Sequence, residues 1–227
     1  MKKKIAGIAA PSGNVLNLED VKKAANLLEE DGWEVKLGKS VLTSFQRFGG
    51  VSDEARAEDF NRLCGECDFV LAARGGYGLN RILSTIDFEE IHKRGVWVGG
   101  FSYITLFSLA YLAKYQGKSL HCPTASVLGK SSISAFSIES FRTALSSKRY
   151  AIEFETDAAD LKVSGTLWGG NLSVLVSALG TPYFPDIEGG VLFLEDLAEP
   201  AYKIERNLLQ LAQAGVLQKQ QAIVLGH

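Results

Sequence analysis

Two rhythms alternate along the first half of the chain. Short apolar runs at Ile5–Ala10, Trp33–Leu37, Asp68–Ala73 and Val96–Gly99 read as strands. Segments with helical spacing separate or follow them: Asp20–Glu30, Asp53–Leu63, Asn80–Ile91 and Tyr103–Tyr115. In the first of these, Val21, Ala24, Ala25 and Leu28 share one face. Strand-helix-strand order predicts a mainly parallel sheet covered on both faces, an α/β fold. Ligands of such sheets bind beyond the carboxyl ends of the strands. Two glycine-rich turns, Arg74-Gly75-Gly76-Tyr77-Gly78 and Gly100-Phe101-Ser102, fall at such ends.

The rhythm changes after Pro123. Thr124–Ser137 is rich in Ser, Ala and Gly and is predicted to be a linker or surface excursion. A helix at Ile138–Leu145 and a strand at Tyr150–Glu155 follow. A second unit begins near Lys162: strand Val163–Trp168, helix Asn171–Leu179, strand Val191–Leu194, helix Tyr202–Ala214 and strand Gln221–Leu225. The division expected is an N-terminal domain at 1–125, a linker region at 126–160 and a smaller α/β C-terminal domain at 161–227. The stop at Gly226-His227, just past a strand, suggests that this second domain is truncated.

Composition narrows the function classes. The 227 residues are 46% hydrophobic and carry 24 basic against 26 acidic side chains, mixed along the chain. That supports a sizeable core and excludes a basic stripe, so no nucleic acid partner is expected. No apolar run is long enough for a membrane span. Met1-Lys2-Lys3-Lys4 precedes a short apolar run broken by Gly7 and Pro11, which reads as a first strand and not an export signal. A cytoplasmic location is expected. Cys64 and Cys67 form a CxxC spacing without further ligands for zinc, and with Cys122 they read as ordinary buried thiols.

Three places offer chemistry. A sharp strand-to-helix turn at Gly100-Phe101-Ser102 is one way to lift a nucleophilic hydroxyl off a sheet, beside free helix N–H groups. Local sequence also fits Ser102 as a helix N-cap. The loop Arg74–Gly78 allows close approach of backbone to a ligand, and also fits a plain tight turn. Glu195 ends an apolar strand, where a carboxylate can orient a histidine; a solvated acidic turn is the other reading. Of the three histidines, His92 lies on a charged helix end, His121 reads as structural, and His227 is terminal.

Taken in order, several stretches resemble the LD-carboxypeptidase family of serine peptidases, which includes the murein tetrapeptide carboxypeptidases. They are Ala10-Pro11-Ser12-Gly13, Ala73–Gly78, Gly100–Ser102, Gly165–Leu172, Gly180-Thr181-Pro182, Leu194–Asp196 with Glu199-Pro200, and Ile204-Glu205-Arg206 before Gln210-Leu211. The resemblance implies a flavodoxin-like parallel-sheet N-terminal domain and a C-terminal domain that carries Glu and His. It implies Ser102 as nucleophile, Glu195 as triad carboxylate, and backbone N–H groups of Gly76 and Tyr103 as the oxyanion hole. Arg74, Gly75, Trp168 and Asn171 are the implied substrate contacts. The implied reaction releases the terminal D-alanine of murein tetrapeptide in peptidoglycan recycling, with no metal or cofactor and in a homodimer. Tyr103 stands where the family usually has Asp, and none of the three histidines matches the family's catalytic one. This chain is therefore expected to be inactive or nearly so. Alternatives are a non-catalytic relative that binds peptide or has a structural role, and a hydrolase of peptide-nucleotide antibiotics. A flavodoxin-like FMN binder is more distant.

Overall fold

The computed structural model describes residues 3–149, 151–153 and 161–226. The first half runs β1 (Ile5–Ala9), α1 (Leu18–Glu30), β2 (Glu34–Leu37), α2 (Lys39–Leu42), β3 (Ser44–Phe45), β4 (Phe48–Gly49), α3 (Asp53–Glu66) and β5 (Phe69–Ala72). It continues with α4 (Leu79–Ile82), α5 (Phe88–Arg94), β6 (Trp97–Gly100), α6 (Ile104–Tyr115) and β7 (Leu120–His121). After α7 (Ala125–Leu128) and α8 (Ala135–Ser146) come β8 (Leu167–Asn171), α9 (Leu172–Ser177), β9 (Val191–Glu195), α10 (Ala201–Gln213) and β10 (Ala222–Leu225).

The expected parallel sheet forms in the order β2-β1-β5-β6-β7. With the β3-β4 hairpin set aside, this is the doubly wound order of flavodoxin-like proteins. Burial on both faces explains why β5 carries four buried residues in a row. Phe69, Leu71 and Ala73 pack on one face with Val21, Ala24, Ala25 and Leu28 of α1; Val70 and Ala72 pack on the other with Phe60, Leu63 and Phe107. Asn17 caps α1 by accepting the Glu19 N–H.

Several boundaries differ from the sequence expectation. The helix predicted over Asn80–Ile91 is two helices joined by a 3-10 turn at Leu83–Thr85. Asp87 restarts it, because its carboxylate caps Glu90 while its own N–H is held by Asn61. The stretch Thr124–Ser137 is a surface excursion only in its second half: Lys130–Ser137 is largely exposed, but α7 buries Ala125 and Leu128, and Gly129 sits so close to Asp20 of α1 that no Cβ fits. Helix α8 then starts three residues ahead of the predicted Ile138, capped by Ser134. Of the strand predicted at Tyr150–Glu155, Ala151–Glu153 are not in a strand, and Tyr150, Phe154 and Glu155 lie outside the described residues. The strand predicted at Val163–Trp168 begins only at Leu167 and runs on to Asn171. Gly169 and Gly170, at φ of 120° and 134°, carry it past the reach of a propensity argument.

The second sheet is parallel, in the order β10-β9-β8. Helix α6 joins it to the first. Gly170 has no room for a Cβ beside the Thr105 hydroxyl, and the Asn171 N–H donates to Thr105 Oγ1 at 3.0 Å. Ile104 and Phe107 share one apolar cluster with Trp168, Leu172, Leu194 and Leu211. No helix among the described residues is long and apolar enough to cross a membrane.

Candidate active site

Strand β6 ends in two glycines, and α6 begins four residues after Gly100. Ser102, in the turn between, has φ 61°, in the left-handed region where a side chain is strained by about 1–2 kcal/mol. Gly100 (φ 155°) cannot be replaced without its Cβ pressing on Ile104 at 2.8 Å. The cap of α6 is Tyr103, which makes no side-chain cap bond. Ser102 contributes only its carbonyl, which accepts the Thr105 N–H at 2.9 Å. The N-cap reading of the Ser102 hydroxyl therefore fails; the hydroxyl is displayed on a strained turn at the carboxyl edge of the sheet.

Two further turns close on it. The carbonyl of Gly75 accepts the Gly13 N–H at 3.0 Å, and a Cβ on Gly75 would lie 3.0 Å from Ser102 Oγ. Gly76 has φ 114° and packs on Gly13. The Tyr77 ring meets the Tyr103 ring edge-on with centroids 6.0 Å apart. Arg74 is half-buried, donates to the Asn14 carbonyl at 3.3 Å and has no ion-pair partner among the described residues.

A buried brace holds this loop. Arg56, with its side chain fully buried, donates to the carbonyls of Gly49 (3.1 Å) and Gly78 (3.2 Å) and pairs with Asp53, which also binds Arg81. Sequence reading passed over Arg56. Its signal was a charged residue at i, i+4 from Phe60, on the apolar face of α3.

Glu195 ends β9, paired in register with Asn171. Its Oε1 is buried and has no hydrogen-bond partner among the described residues. Burial, and then the charge of Asp196, push its carboxyl above the usual range, against the pull of the Asn171 amide. Asp196, which sequence reading did not single out, is the hub here. It accepts Asn171 Nδ2 at 3.0 Å, the Ser173 N–H at 3.0 Å and the Ser173 hydroxyl at 2.6 Å. Ser102 and Glu195 are thus linked through Thr105, in the first turn of α6, and Asn171.

Two of the expected substrate contacts carry structural bonds. Trp168 is 5% exposed, donates its indole N–H to Gln220 and packs edge-on against Phe184. It stands three residues, roughly 10 Å, before the carboxyl end of β8. Asn171 is 8% exposed; its Oδ1 caps α9 by accepting the Val174 N–H, and its Nδ2 serves Asp196. Both side chains make internal hydrogen bonds, and Asn171 positions the Glu195-Asp196 corner.

The histidines divide. His92 stacks on Tyr115 at 5.0 Å, at the far end of α6 from Ser102. His121 lies at the site edge, in register with Gly100, its ring edge-on to Phe193 at 5.2 Å. Desolvation lowers its pKa, and it makes no hydrogen bond to Ser102 or Glu195. His227 lies outside the described residues. The cysteines are free and buried, as expected, and burial raises all three, Cys67 to about 11.

A doubly wound sheet with a strained serine turn at its carboxyl edge, faced by a glycine loop, defines an α/β protein of the serine-peptidase kind. The chain belongs to the LD-carboxypeptidase family: residues 6–122 match the LD-carboxypeptidase N-terminal domain and residues 164–227 the LD-carboxypeptidase C-terminal domain. It is 34% identical over 221 residues to the probable murein peptide carboxypeptidase of Bacillus subtilis (strain 168), covering 93% of this chain and 68% of that protein. It is 31% identical over 214 residues to the murein tetrapeptide carboxypeptidase of Pseudomonas aeruginosa, covering 88% of this chain and 68% of that one. The crystal structure of muramoyltetrapeptide carboxypeptidase from Oxalobacter formigenes superposes with a TM-score of 0.88 at 37% identity, covering 98% of this chain and 76% of that one.

Proposed function

We propose that this protein is a serine carboxypeptidase that removes the terminal D-alanine of murein tetrapeptide by hydrolysing an L,D-amide. The observation that carries the reading is Ser102, held at φ 61° with its hydroxyl against Gly75. Ser102 Oγ attacks the scissile carbonyl, and the oxyanion rests on the N–H groups of Gly76 and Tyr103. A general base takes the Ser102 hydroxyl proton during attack and hands it to the amine of D-alanine as the C–N bond breaks, and water then releases the acyl group from Ser102. Glu195 acts as the acid that orients a general base, which fits its buried, unpartnered oxygen. Arg74, beside Gly75, takes the terminal carboxylate. The names of the relatives support a murein peptide substrate, and peptidoglycan recycling is the setting this reading proposes.

In the chain as described, no histidine hydrogen-bonds Ser102 or Glu195. We therefore place its turnover about 10³-fold or more below that of a complete triad. Calorimetric titration of Ser102→Ala with murein tetrapeptide tests the substrate without needing turnover. The D-alanine form is expected to bind at least roughly tenfold tighter than its L-alanine diastereomer. Equal affinities would contradict the reading.

A further inference from the structure

We propose that Arg47 is a specificity-determining residue that reads a second carboxylate on the substrate, upstream of the scissile amide. The proposal rests on the peptidase reading above and deepens it.

Arg47 sits in the two-residue turn between β3 and β4, whose paired residues are Phe45 and Phe48. The turn is strained, with Gln46 at φ 54°, and it is stitched to the site. The Arg47 carbonyl accepts the Asn14 N–H at 2.9 Å, and Gly13 bridges Phe48. The same Gly13-Asn14 segment holds Gly75 and Arg74. The side chain is exposed, and its guanidinium lies 5.5 Å from the centroids of both Phe48 and Tyr77. Tyr77 in turn meets Tyr103, the neighbour of Ser102.

What sets Arg47 apart is its charge balance. Arg81 leans on the same Phe48 ring but is paired with Asp53, which it shares with Arg56. Arg47 has no carboxylate within ion-pair distance among the described residues, nor has Arg74. Stacking on two rings fixes a guanidinium at small entropic cost and leaves its N–H fork free for a planar anion. Covalent geometry then assigns the two arginines. The terminal carboxylate of a substrate lies only an N and a Cα beyond the scissile carbonyl, so about 4–5 Å from it. Arg74, bonded to Gly75, suits that short reach. Arg47 reaches the Ser102 turn only by way of the Tyr77 and Tyr103 rings, which suits an acidic group of a more remote residue. The ligand class is a D-alanine-terminated peptide with an additional carboxylate.

The test is titration of the Ser102→Ala protein with two D-alanine-terminated tetrapeptides that differ only in one upstream residue, glutamate or glutamine. The acidic peptide is expected to bind roughly fivefold tighter, as a partly desolvated rim ion pair would give. Added Arg47→Ala should bring its affinity down to that of the glutamine peptide and leave the latter unchanged. Arg47→Lys, which keeps charge without the planar fork, should retain part of the preference. Equal weakening of both peptides would mean that the hairpin was damaged, and a preference that persists in Arg47→Ala would place the recognition elsewhere; either result overturns the proposal while leaving the peptidase reading intact. Failure of the parent Ser102→Ala protein to bind either peptide would overturn that reading and this proposal with it.

Discussion

Gly75 lies directly over Ser102: a Cβ at position 75 would fall 2.9 Å from Ser102 Cβ and 3.0 Å from its Oγ. The loop after β5 and the turn after β6 therefore fit only if position 75 has no side chain. Gly75→Ala must push Ser102 or the loop aside by a few tenths of an ångström or more. Release of D-alanine should fall by roughly a hundredfold, the scale on which misplaced reacting groups lose rate, while the melting temperature drops only a few degrees. A full rate with alanine at 75 would show that Ser102 is not the reacting group.

The strain at Ser102 predicts opposite effects on stability and chemistry. Glycine tolerates φ 61° and serine does not. Ser102→Gly should be more stable than Ser102→Ala by about 1 kcal/mol in urea unfolding, with the proposed nucleophile absent from both. Equal stability would mean that the turn relaxes.

Glu195 predicts a pH dependence. Its folded pKa is raised by burial and by Asp196, so the protonated form is favoured in the folded state. Its contribution to stability is then fully present below the ordinary glutamate pKa and is lost as pH rises through the raised value. Glu195→Gln, neutral throughout, should be more stable than the parent at neutral pH. That advantage should shrink as the pH falls towards 4. An advantage that grows on acidification would contradict the assignment.

The link between the two sheets predicts a third stability effect. Thr105 Oγ1 accepts the buried N–H of Asn171 at 3.0 Å. Thr105→Val keeps the shape and strands that donor, at a cost of about 1–3 kcal/mol in urea unfolding. Because the bond also ties α6 to the Glu195 corner, hydrogen exchange at Asn171 and Ser173 should quicken. Unchanged exchange there would show that the apolar contacts alone set the junction.

Much of this was legible in the sequence, for physical reasons. A strand buried on both faces writes its burial into consecutive apolar residues, as β5 does, and α1 writes its stripe at Val21, Ala24, Ala25 and Leu28. The turns at Gly75 and Ser102 were marked by glycines and by their place after strands. What sequence did not carry were contacts between distant segments. Asp87 restarts a helix only because Asn61 receives its N–H, and α7 forms because Gly129 lets it press on α1. Trp168 and Asn171 stood in a motif that resembled a family, and only the structure shows their polar atoms already bonded to Gln220, Val174 and Asp196. Arg47, in contrast, looks like an ordinary surface cation until its rings are seen, whereas Arg56 left only its place on the apolar face of α3 as a sign.

The most direct test of the account is mass-spectrometric detection of D-alanine released from murein tetrapeptide, with protein in excess over peptide and long incubation, for the parent chain and for Ser102→Ala. The account predicts slow release by the parent and none by the variant. Release that persists unchanged in Ser102→Ala would contradict it.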